Sequence, residues 1–358
     1  MTNVETTASL TTTGLQAFAA PLTRHAIFLG LRVGASSDAV DKVRDTLADL
    51  AGTLESVAFR DPHAHLSCTV GIGSDFWPRL TSAPKPAELR PFTPITGSVH
   101  SAVATPGDLF FHIRSAWEDF GFEFERLLLN ALGDSVQTVE ETAGFRYFDR
   151  RDLLGFVDGT ANPSVASAIA EALIVGDEDP AGTGGTYIVA QKYLHPIRAW
   201  QSLPTEMQEQ IIGRTKPDNV ELPDATSGQK SHKTLSTIVD AEGVEHDILR
   251  DNMPFGSPGS DQFGTYFLGY SRHRWVIQQM LERMFIGDPV GMYDRLLDFS
   301  TAITGTAFFA PSADVLGSLP APSSTADAAA AAPDPAPVSP SPSPADNSLG
   351  LGGRPSTS

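Results

Sequence analysis

The chain has almost no cysteine: among its 358 residues, Cys68 is the only one. A single thiol excludes an internal disulfide and any zinc or iron–sulfur site built from cysteine ligands. Cys68 lies in a strand-like stretch, residues 66–70, so we expect a buried thiol with a structural role. A bound metal or metal-containing cofactor therefore has to depend on histidine or carboxylate side chains.

Positive charge is also scarce. Lysine and arginine number 25 against 43 aspartates and glutamates, and the formal net charge of −18 argues against nucleic acid or an anionic membrane as a partner. No apolar run approaches the length of a membrane span, and residues 1–20 lack the basic start and apolar core of a signal peptide. We therefore expect a cytoplasmic protein.

The order of the predicted elements indicates the fold class. With 41% hydrophobic residues the chain can build one or two sizeable cores, preceded by a Thr- and Ala-rich flexible arm over residues 1–21. Apolar periodicity predicts strands over residues 25–33, 66–72, 109–114 and 137–148, with helices over residues 39–54 and 116–132. This β-α-β-β-α-β order predicts a ferredoxin-like half over residues 22–150.

A second half over residues 151–311 follows the same plan with a long insertion. Its predicted strands cover residues 185–193, 244–249 and 265–270, and its predicted helices cover residues 205–212 and 274–285. No repeat is visible at the level of residues, so this prediction rests on element order alone. We expect an α+β protein whose two ferredoxin-like halves form a dimeric α+β barrel.

The composition changes after residue 311. Alanine, proline, serine and aspartate dominate residues 312–358, and such a segment cannot bury enough apolar surface to offset its chain entropy. We therefore expect a disordered tail. Near its end, Leu349 and Leu351 form a short apolar patch spaced by glycine.

The stretch from Gly155 to Pro163 is the first that indicates chemistry. Gly159 permits backbone angles that other residues resist, and Pro163 disfavours the helical conformation for Asn162. The segment is therefore predicted to be a sharply shaped loop that presents Asp158. On its own it is equally compatible with an ordinary Asp-Gly turn.

Two later stretches supply further candidates. Of the nine histidines, His232 lies in a polar segment between two structured elements, where an imidazole can point into a cavity. A solvated loop position explains His232 as well. Arg250 and Asn252 come directly after a strand-like stretch and before apolar residues, a placement more typical of a pocket wall than of a solvated surface.

Four motifs in one order resemble those of the dye-decolorising peroxidases, haem enzymes of two ferredoxin-like halves, and in particular their bacterial B group. They are the Gly155-x-x-Asp158-Gly159 loop, His232, the run Arg250-x-Asn252-Met253-Pro254-Phe255, and the segment from Tyr293 to Phe309. The Gly-x-x-Asp-Gly match is weak alone, but the ordered set is specific. The resemblance covers residues 22–311.

The resemblance implies a haem b cofactor with His232 as the proximal ligand of its iron. Asp294 is then expected to accept the other ring N–H of His232 and to make the imidazole more basic, with Asp298 as the alternative partner. Arg214 is a candidate partner for a haem propionate, although a plain surface arginine explains it equally well. The second half of the chain is expected to hold most of the cofactor.

On the distal face, the resemblance implies a catalytic role for Asp158, Arg250 and Asn252. A carboxylate can move a proton between the two oxygens of peroxide, and a guanidinium can stabilise the negative charge that develops. Asn252 is expected to orient peroxide or a distal water. Ala161 stands where relatives often carry glutamate, which weakens the case for Mn²⁺ as a reductant, although Glu221 and Glu245 remain available.

We therefore expect a haem peroxidase that reduces H₂O₂ and oxidises small organic reductants by single electrons, as a homo-oligomer between dimer and hexamer. The alternatives are a haem-handling protein without a peroxidase cycle and an assembly subunit without haem. Residues 346–352 also resemble the C-terminal targeting peptide of encapsulin cargo, although Gly353 and Arg354 depart from that pattern. This resemblance implies an encapsulin shell protein as partner and a location inside the shell.

Overall fold

A computed structural model of the chain describes residues 14–225 and 227–322. The targeting peptide and most of the tail predicted over residues 312–358 lie outside these ranges. None of the helices in the described part of the chain has both the length and the apolar composition needed to cross a membrane.

The strands follow the predicted positions closely and are numbered in chain order. They are β1 (His25–Val33), β2 (Ser67–Gly73), β3 (Ile95–Thr96), β4 (Ser101–Ala102), β5 (Leu109–Ser115), β6 (Val136–Phe145), β7 (Thr186–Leu194), β8 (Ile238–Val239), β9 (Glu245–His246), β10 (Leu249–Arg250), β11 (Met253–Ser257), β12 (Gln262–Ser271), β13 (Thr301–Ala302) and β14 (Thr306–Ala310).

The α-helices are α1 (Ser37–Ala48), α2 (Leu50–Ala58), α3 (Trp77–Leu80), α4 (Glu118–Leu132), α5 (Ala166–Leu173), α6 (Ile197–Gln201), α7 (Thr205–Ile212), α8 (His232–Ser236), α9 (Arg274–Phe285) and α10 (Ala313–Leu316). Short 3₁₀ turns cover Ala17–Ala19, Pro62–Ala64, Gly133–Ser135, Pro258–Ser260 and Arg295–Phe299.

One antiparallel sheet carries both halves. Its strands run in the order β10-β12-β7-β14-β2-β5-β1-β6, with β11 also paired to β12 and β13 to β7. The first half contributes four main strands, which in chain order are β1, β2, β5 and β6. Numbered one to four, they lie side by side in the sheet in the order 2-3-1-4. The strands β7, β10, β12 and β14 of the second half have the same order, so the predicted α+β fold of two ferredoxin-like halves is confirmed.

The two halves meet where β14 pairs with β2, with Phe308 opposite Gly73 and Phe309 opposite Ile72. At the other end the sheet curls, and β6 approaches β11 so closely that a Cβ on Gly144 would lie 2.7 Å from that of Met253. Glycine at position 144 is therefore a packing requirement. Aromatic side chains such as Phe28, which stacks on Tyr266 at 4.1 Å, fill the interior of the curled sheet.

Three sequence predictions need correction. The single helix expected over residues 39–54 is two helices, because the backbone turns at Asp49 (φ −92°, ψ 4°) so that Leu50 can also be buried. The arm expected over residues 1–21 is packed in its described part, residues 14–21. There Phe18 is fully buried, and the Gln16 side chain bonds the backbone of Val70 and the carbonyl of Pro311.

The tail also begins later than predicted. Residues 312–322 belong to the folded part, because α10 buries Leu316 and the following turn buries Leu319 against the first-half core. The backbone carbonyl of Pro320 accepts hydrogen bonds from both Ser82 N and the Thr81 hydroxyl. The sequence boundary at residue 311 therefore falls about one short helix too early.

Candidate active site

The second half contains a cavity that is partly open to solvent, with about 850 Å³ of empty space including that opening. Its walls are mainly apolar and come from the Gly155 loop, the end of β7, and helices α7 to α9. Representative apolar lining residues are Phe156, Ile212, Phe267 and Met280. The sequence-predicted residues Asp158, His232, Arg250 and Asn252 line the same cavity.

His232 reaches the cavity from the first turn of α8. The hydroxyl of Ser231, at the N-cap, accepts the backbone N–H of Thr234, so the short helix starts at His232. The His232 side chain keeps 29% of its surface exposed, which agrees with its position in the cavity wall. The predicted placement of this histidine in a cavity is therefore what the structure shows.

The partner of His232 is Asp294. Their Nδ1 and Oδ2 atoms are 2.6 Å apart, and the other Asp294 oxygen accepts the backbone N–H of Leu296 at 2.9 Å. Asp294 is fully buried, so its carboxylate is shielded from water. Burial by itself lowers the pKa of His232, but the Asp294 carboxylate outweighs this effect and the pKa of His232 is raised.

The alternative partner, Asp298, is elsewhere. Its carboxylate bonds His100 Nε2 at 3.0 Å and the Tyr293 hydroxyl at 2.9 Å, and it also pairs with Arg295. The two aspartates flank a 3₁₀ turn (Arg295–Phe299) whose N-cap is Asp294, and this turn directs their side chains to different partners. The prediction that Asp298 is an alternative partner of His232 is therefore wrong.

Asp158 is held in place as a hydrogen-bonded carboxylate. Its Oδ1 accepts the backbone N–H of Gly159 at 2.7 Å, and its Oδ2 accepts the Asn252 side-chain N–H at 3.0 Å. The carbonyl oxygen of the Asn252 side chain accepts the backbone N–H of Leu268 at 3.1 Å, so the amide cannot rotate freely. The loop and β12 together thus fix both Asp158 and Asn252.

Asn162 explains why the loop has its particular sequence. Its amide bonds the backbone of Arg250 twice, accepting from the N–H at 2.9 Å and donating to the carbonyl at 2.8 Å. Gly159 has φ +72°, and a Cβ there would lie 2.9 Å from the Asn162 amide nitrogen. Glycine is therefore needed both for the turn and for this cross-connection, which sets Asp158 beside β10.

Arg250 points into the cavity from the end of β10. Its guanidinium lies 3.5 Å from the carbonyl of Ser236 and 3.6 Å from the sulfur of Met280. Burial lowers the pKa of Arg250, while the carboxylates of Asp158 and Asp247 raise it. Because arginine starts far above neutrality, the side chain stays charged at physiological pH.

Arg214 is not brought to this cavity. Its guanidinium donates to the carbonyl of Asn219 at 3.1 Å and pairs with Glu221, across a bridge between residues 214 and 221. Glu221 in turn lies near Lys233, with a separation of 3.6 Å. A contact of Arg214 with a haem propionate remains a prediction that requires this local pairing to change.

A second carboxylate and a second imidazole in the cavity wall, those of Asp152 and His195, were not predicted from the sequence. Burial and the nearby Asp158 charge raise the pKa of Asp152 to about 7, although its contact with the Phe156 N–H opposes the shift. The Gly155 turn closes between Asp152 and Phe156, but nothing in the sequence indicates that Asp152 faces the cavity.

His195 differs from His232 in its hydrogen bonds. Its Nε2 lies 2.8 Å from the Thr265 hydroxyl and its Nδ1 lies 3.0 Å from the Ser300 hydroxyl, so both ring nitrogens have partners. Burial lowers the pKa of His195 to about 4, which keeps the ring neutral. Of the two histidines that line the cavity, only His232 has a ring nitrogen, Nε2, without a hydrogen-bond partner among the described residues.

Comparison with known proteins identifies the class. Family models described as Dyp-type peroxidase, N-terminal, and Dyp-type peroxidase, C-terminal, match residues 16–146 and 149–315, so they meet close to the predicted boundary at residue 150. The fold and these two matches define a peroxidase. The chain belongs to the Dyp-type peroxidase family, as its motifs had suggested.

Relatives and solved structures agree. The dye-decolorizing peroxidase of Mycobacterium tuberculosis is 50% identical over 305 residues, 85% of this chain and 90% of that protein. DyPB from Rhodococcus jostii aligns with a TM-score of 0.82 and 53% identity, covering 85% and 97% of the two chains. The encapsulated DyP-type peroxidase from Mycobacterium smegmatis aligns with a TM-score of 0.83 and 49% identity, covering 86% and 98%.

A variant of the Rhodococcus jostii protein solved in complex with heme aligns equally well, with a TM-score of 0.82 and 53% identity over 85% of this chain and 98% of that chain.

Proposed function

We propose that the cavity binds haem b, that His232 ligates its iron, and that the protein uses it to reduce H₂O₂ at the expense of small organic reductants. The observation that carries the proposal is the two-part arrangement of the cavity. A carboxylate-bonded histidine with a free Nε2 and a separate group of Asp158, Asn252 and Arg250 line one apolar space. A haem-handling protein has no need of the second group.

The residues present fit haem. The apolar lining suits a porphyrin, which is largely hydrophobic, and His232 Nε2 is an unpaired imidazole nitrogen of the kind that binds haem iron. The short bond from Asp294 holds the ring in the tautomer that leaves Nε2 free for the metal. The Rhodococcus jostii relative solved with heme supports the same cofactor here.

Bound haem iron supplies the electrons that cleave the O–O bond of peroxide. The chain supplies the proton transfer and the electrostatic environment. Both Asp158 oxygens already accept a hydrogen bond, which holds the carboxylate in position to take a proton from peroxide. The same carboxylate then returns the proton to the departing oxygen.

Arg250 stabilises the charge that develops during this step. The guanidinium is half-buried and held beside the cavity, so it is already in place when the charge develops. Asn252 positions Asp158 through its side-chain N–H and is itself fixed by the Leu268 N–H. In this proposal Asn252 acts as an orienting group, and Asp158 is the group that moves the proton.

The proposal is tested by adding haem to the purified protein and measuring H₂O₂-dependent oxidation of an organic donor. We expect a Soret band and turnover in wild type, and loss of both in His232→Ala. His63→Ala removes a histidine from the short 3₁₀ turn after α2, outside the cavity, and should retain both. A His232→Ala protein with a full Soret band and normal turnover would show that another residue is the ligand.

We further propose that the C-terminal peptide targets the enzyme to an encapsulin shell, where homo-oligomers between dimer and hexamer are packed. The apolar residues Leu349 and Leu351 at the end of a polar segment support the proposal. So does the similarity to an encapsulated Mycobacterium smegmatis relative. Burial of one leucine in a groove contributes roughly 1.5–3 kcal/mol.

Deletion of residues 346–358 should leave turnover unchanged and abolish co-purification with the shell protein. A deletion of equal length within the linker, residues 328–340, is the matched control and should retain loading. Equal loading of both deletion variants would contradict the targeting role of the peptide.

A further inference from the structure

A second cavity, which we call the vestibule, lies next to the large one. Its empty volume is about 450 Å³, and it shares Asp158, Arg250 and Asn252 with the large cavity. The rest of its wall includes Arg146 and Arg150, from the end of β6 and the loop that follows. The proposed catalytic side chains therefore form the partition between the two spaces.

The vestibule is unusually basic for a chain with a net charge of −18. Arg146 is half-buried and donates to the carbonyls of Leu22 at 3.1 Å and Thr23 at 3.4 Å. Burial lowers the pKa of Arg146, and the positive charges of Arg150 and Arg24 lower it further. The guanidinium of Arg146 therefore lies close enough to those of Arg150 and Arg24 to be repelled by both.

No carboxylate compensates this cluster. In the part of the chain that the structure describes, none of Arg24, Arg146 and Arg150 forms a salt bridge, whereas the adjacent Arg151 pairs with Asp149 at 3.0 Å. A cluster of like charges without a counter-ion destabilises the fold, unless something else neutralises it.

The two aspartates of the vestibule wall are already engaged. Asp158 accepts hydrogen bonds from Gly159 and Asn252. The Asp251 carboxylate faces away into the core and bonds Arg114 at 2.9 Å. The hydrogen bonds to Asp158 come from neutral groups and leave its charge in place. The wall nevertheless carries four arginines against its two aspartates, so its net charge is positive; the four are Arg146, Arg150, Arg151 and Arg250.

We propose that the vestibule is a binding site for a small oxyanion from solution, held by Arg146 and Arg150 and further attracted by Arg24. A guanidinium presents its N–H groups in a planar fork that matches the oxygens of phosphate or carboxylate. An anion bound there lies directly in front of Asp158 and Asn252, so it slows the access of peroxide to them. This consequence, but not the binding itself, rests on the proposed function.

The binding is tested by calorimetric titration of the haem-loaded enzyme with inorganic phosphate at constant ionic strength. Arg150 and Arg24 are exposed, so Arg150→Gln and Arg24→Gln should fold normally. We expect one site in wild type and an affinity at least about tenfold weaker in Arg150→Gln, because a hydrogen bond between charged groups is lost. Arg126→Gln, which removes a surface arginine paired with Glu123 on α4, is the matched control and should bind like wild type.

A second measurement follows the rate of the spectral change when the same proteins are mixed with H₂O₂. Without phosphate, wild type and Arg150→Gln should react equally fast, and the phosphate concentration that halves the wild-type rate should be about tenfold higher for Arg150→Gln. The proposal is overturned by absence of binding in wild type, by equal affinity in Arg150→Gln, or by binding that leaves the peroxide reaction unaffected. If wild type does not react with peroxide, the proposed function fails, while the titration still decides the anion site.

Discussion

Asp294→Asn is the substitution that most directly tests how the protein supports its histidine. The change replaces the carboxylate oxygen that lies 2.6 Å from His232 Nδ1 with a neutral amide. Asparagine has nearly the same shape and can still accept the Leu296 N–H, so the 3₁₀ turn should survive. Because asparagine has only one acceptor oxygen, keeping the Leu296 N–H turns its NH₂ group toward His232 Nδ1. The variant therefore removes both the charge behind the imidazole and the acceptor that fixes its tautomer.

The size of the effect follows from the burial of the pair. Asp294 is fully buried, so its hydrogen bond to the imidazole is not weakened by water. Loss of such a partner of a metal-binding histidine typically costs 10–100-fold in affinity or activity, or about 1.4–2.7 kcal/mol. We expect Asp294→Asn to weaken haem binding and slow turnover within this range.

The assay is a haem titration of the apoprotein monitored at the Soret band, with turnover measured on the loaded enzyme. Asp298→Asn is the matched control, because Asp298 lies four residues away and bonds His100 and Tyr293 instead of His232. The control should bind haem like wild type. Equal losses in the two variants, or no loss in Asp294→Asn, would refute the assignment.

Three further predictions concern other parts of the molecule. Arg250→Leu should slow the reaction with peroxide by roughly 10²–10³ while haem stays bound, because a fixed positive charge is lost. The rate is measured by stopped-flow mixing with H₂O₂. Wild-type rates in both Arg250→Leu and Asp158→Ala would contradict the assignment of these residues to the distal face. Gly159→Ala should also slow this reaction, because its Cβ displaces Asn162. Gly133 also has a positive φ, but no atom lies within 4 Å of a Cβ added there, so Gly133→Ala is the control and should react normally. Equal rates in Gly159→Ala and Gly133→Ala would count against the Asn162 connection. Burial and the charge of Glu141 raise the pKa of Glu125 from 4.5 to about 7, so ionising Glu125 destabilises the folded state increasingly as pH rises from 4.5 to 7. The free energy of unfolding, measured with urea, should therefore be larger for Glu125→Gln than for wild type by roughly 1–3 kcal/mol at pH 8 and equal near pH 4. The same difference at both pH values would contradict this prediction.

The sequence alone was sufficient for the fold class and for four residues that line the candidate active site, Asp158, His232, Arg250 and Asn252. Strand and helix positions follow from the alternation of apolar residues, which reflects local backbone geometry and the side that faces the core. The glycines at 155 and 159 indicate a turn from their conformational freedom alone. The order of the motifs around Asp158, His232 and Arg250 is sufficient by itself to indicate the family.

Tertiary structure was needed wherever a role depends on a partner that is distant in sequence. Asp294 and Asp298 are chemically equivalent and lie within one turn, yet only Asp294 is directed at His232, which precedes it by 62 residues. Asn162 and Arg250 are 88 residues apart, and only the folded chain shows that the amide of one holds the backbone of the other. Local sequence carries no information about such distances.

The same limit explains the errors at the chain ends and the unexpected vestibule. From the sequence, Gln16 is expected in the flexible arm. Only the folded chain shows that its side chain bonds the backbone of Val70 and Pro311. Arg24 directly precedes β1 and Arg146 directly follows β6, and only the pairing of these two strands brings the two arginines together. Periodicity specifies which face of an element is buried, but hydrogen bonds and charge pairs depend on which faces meet, and that is decided by packing.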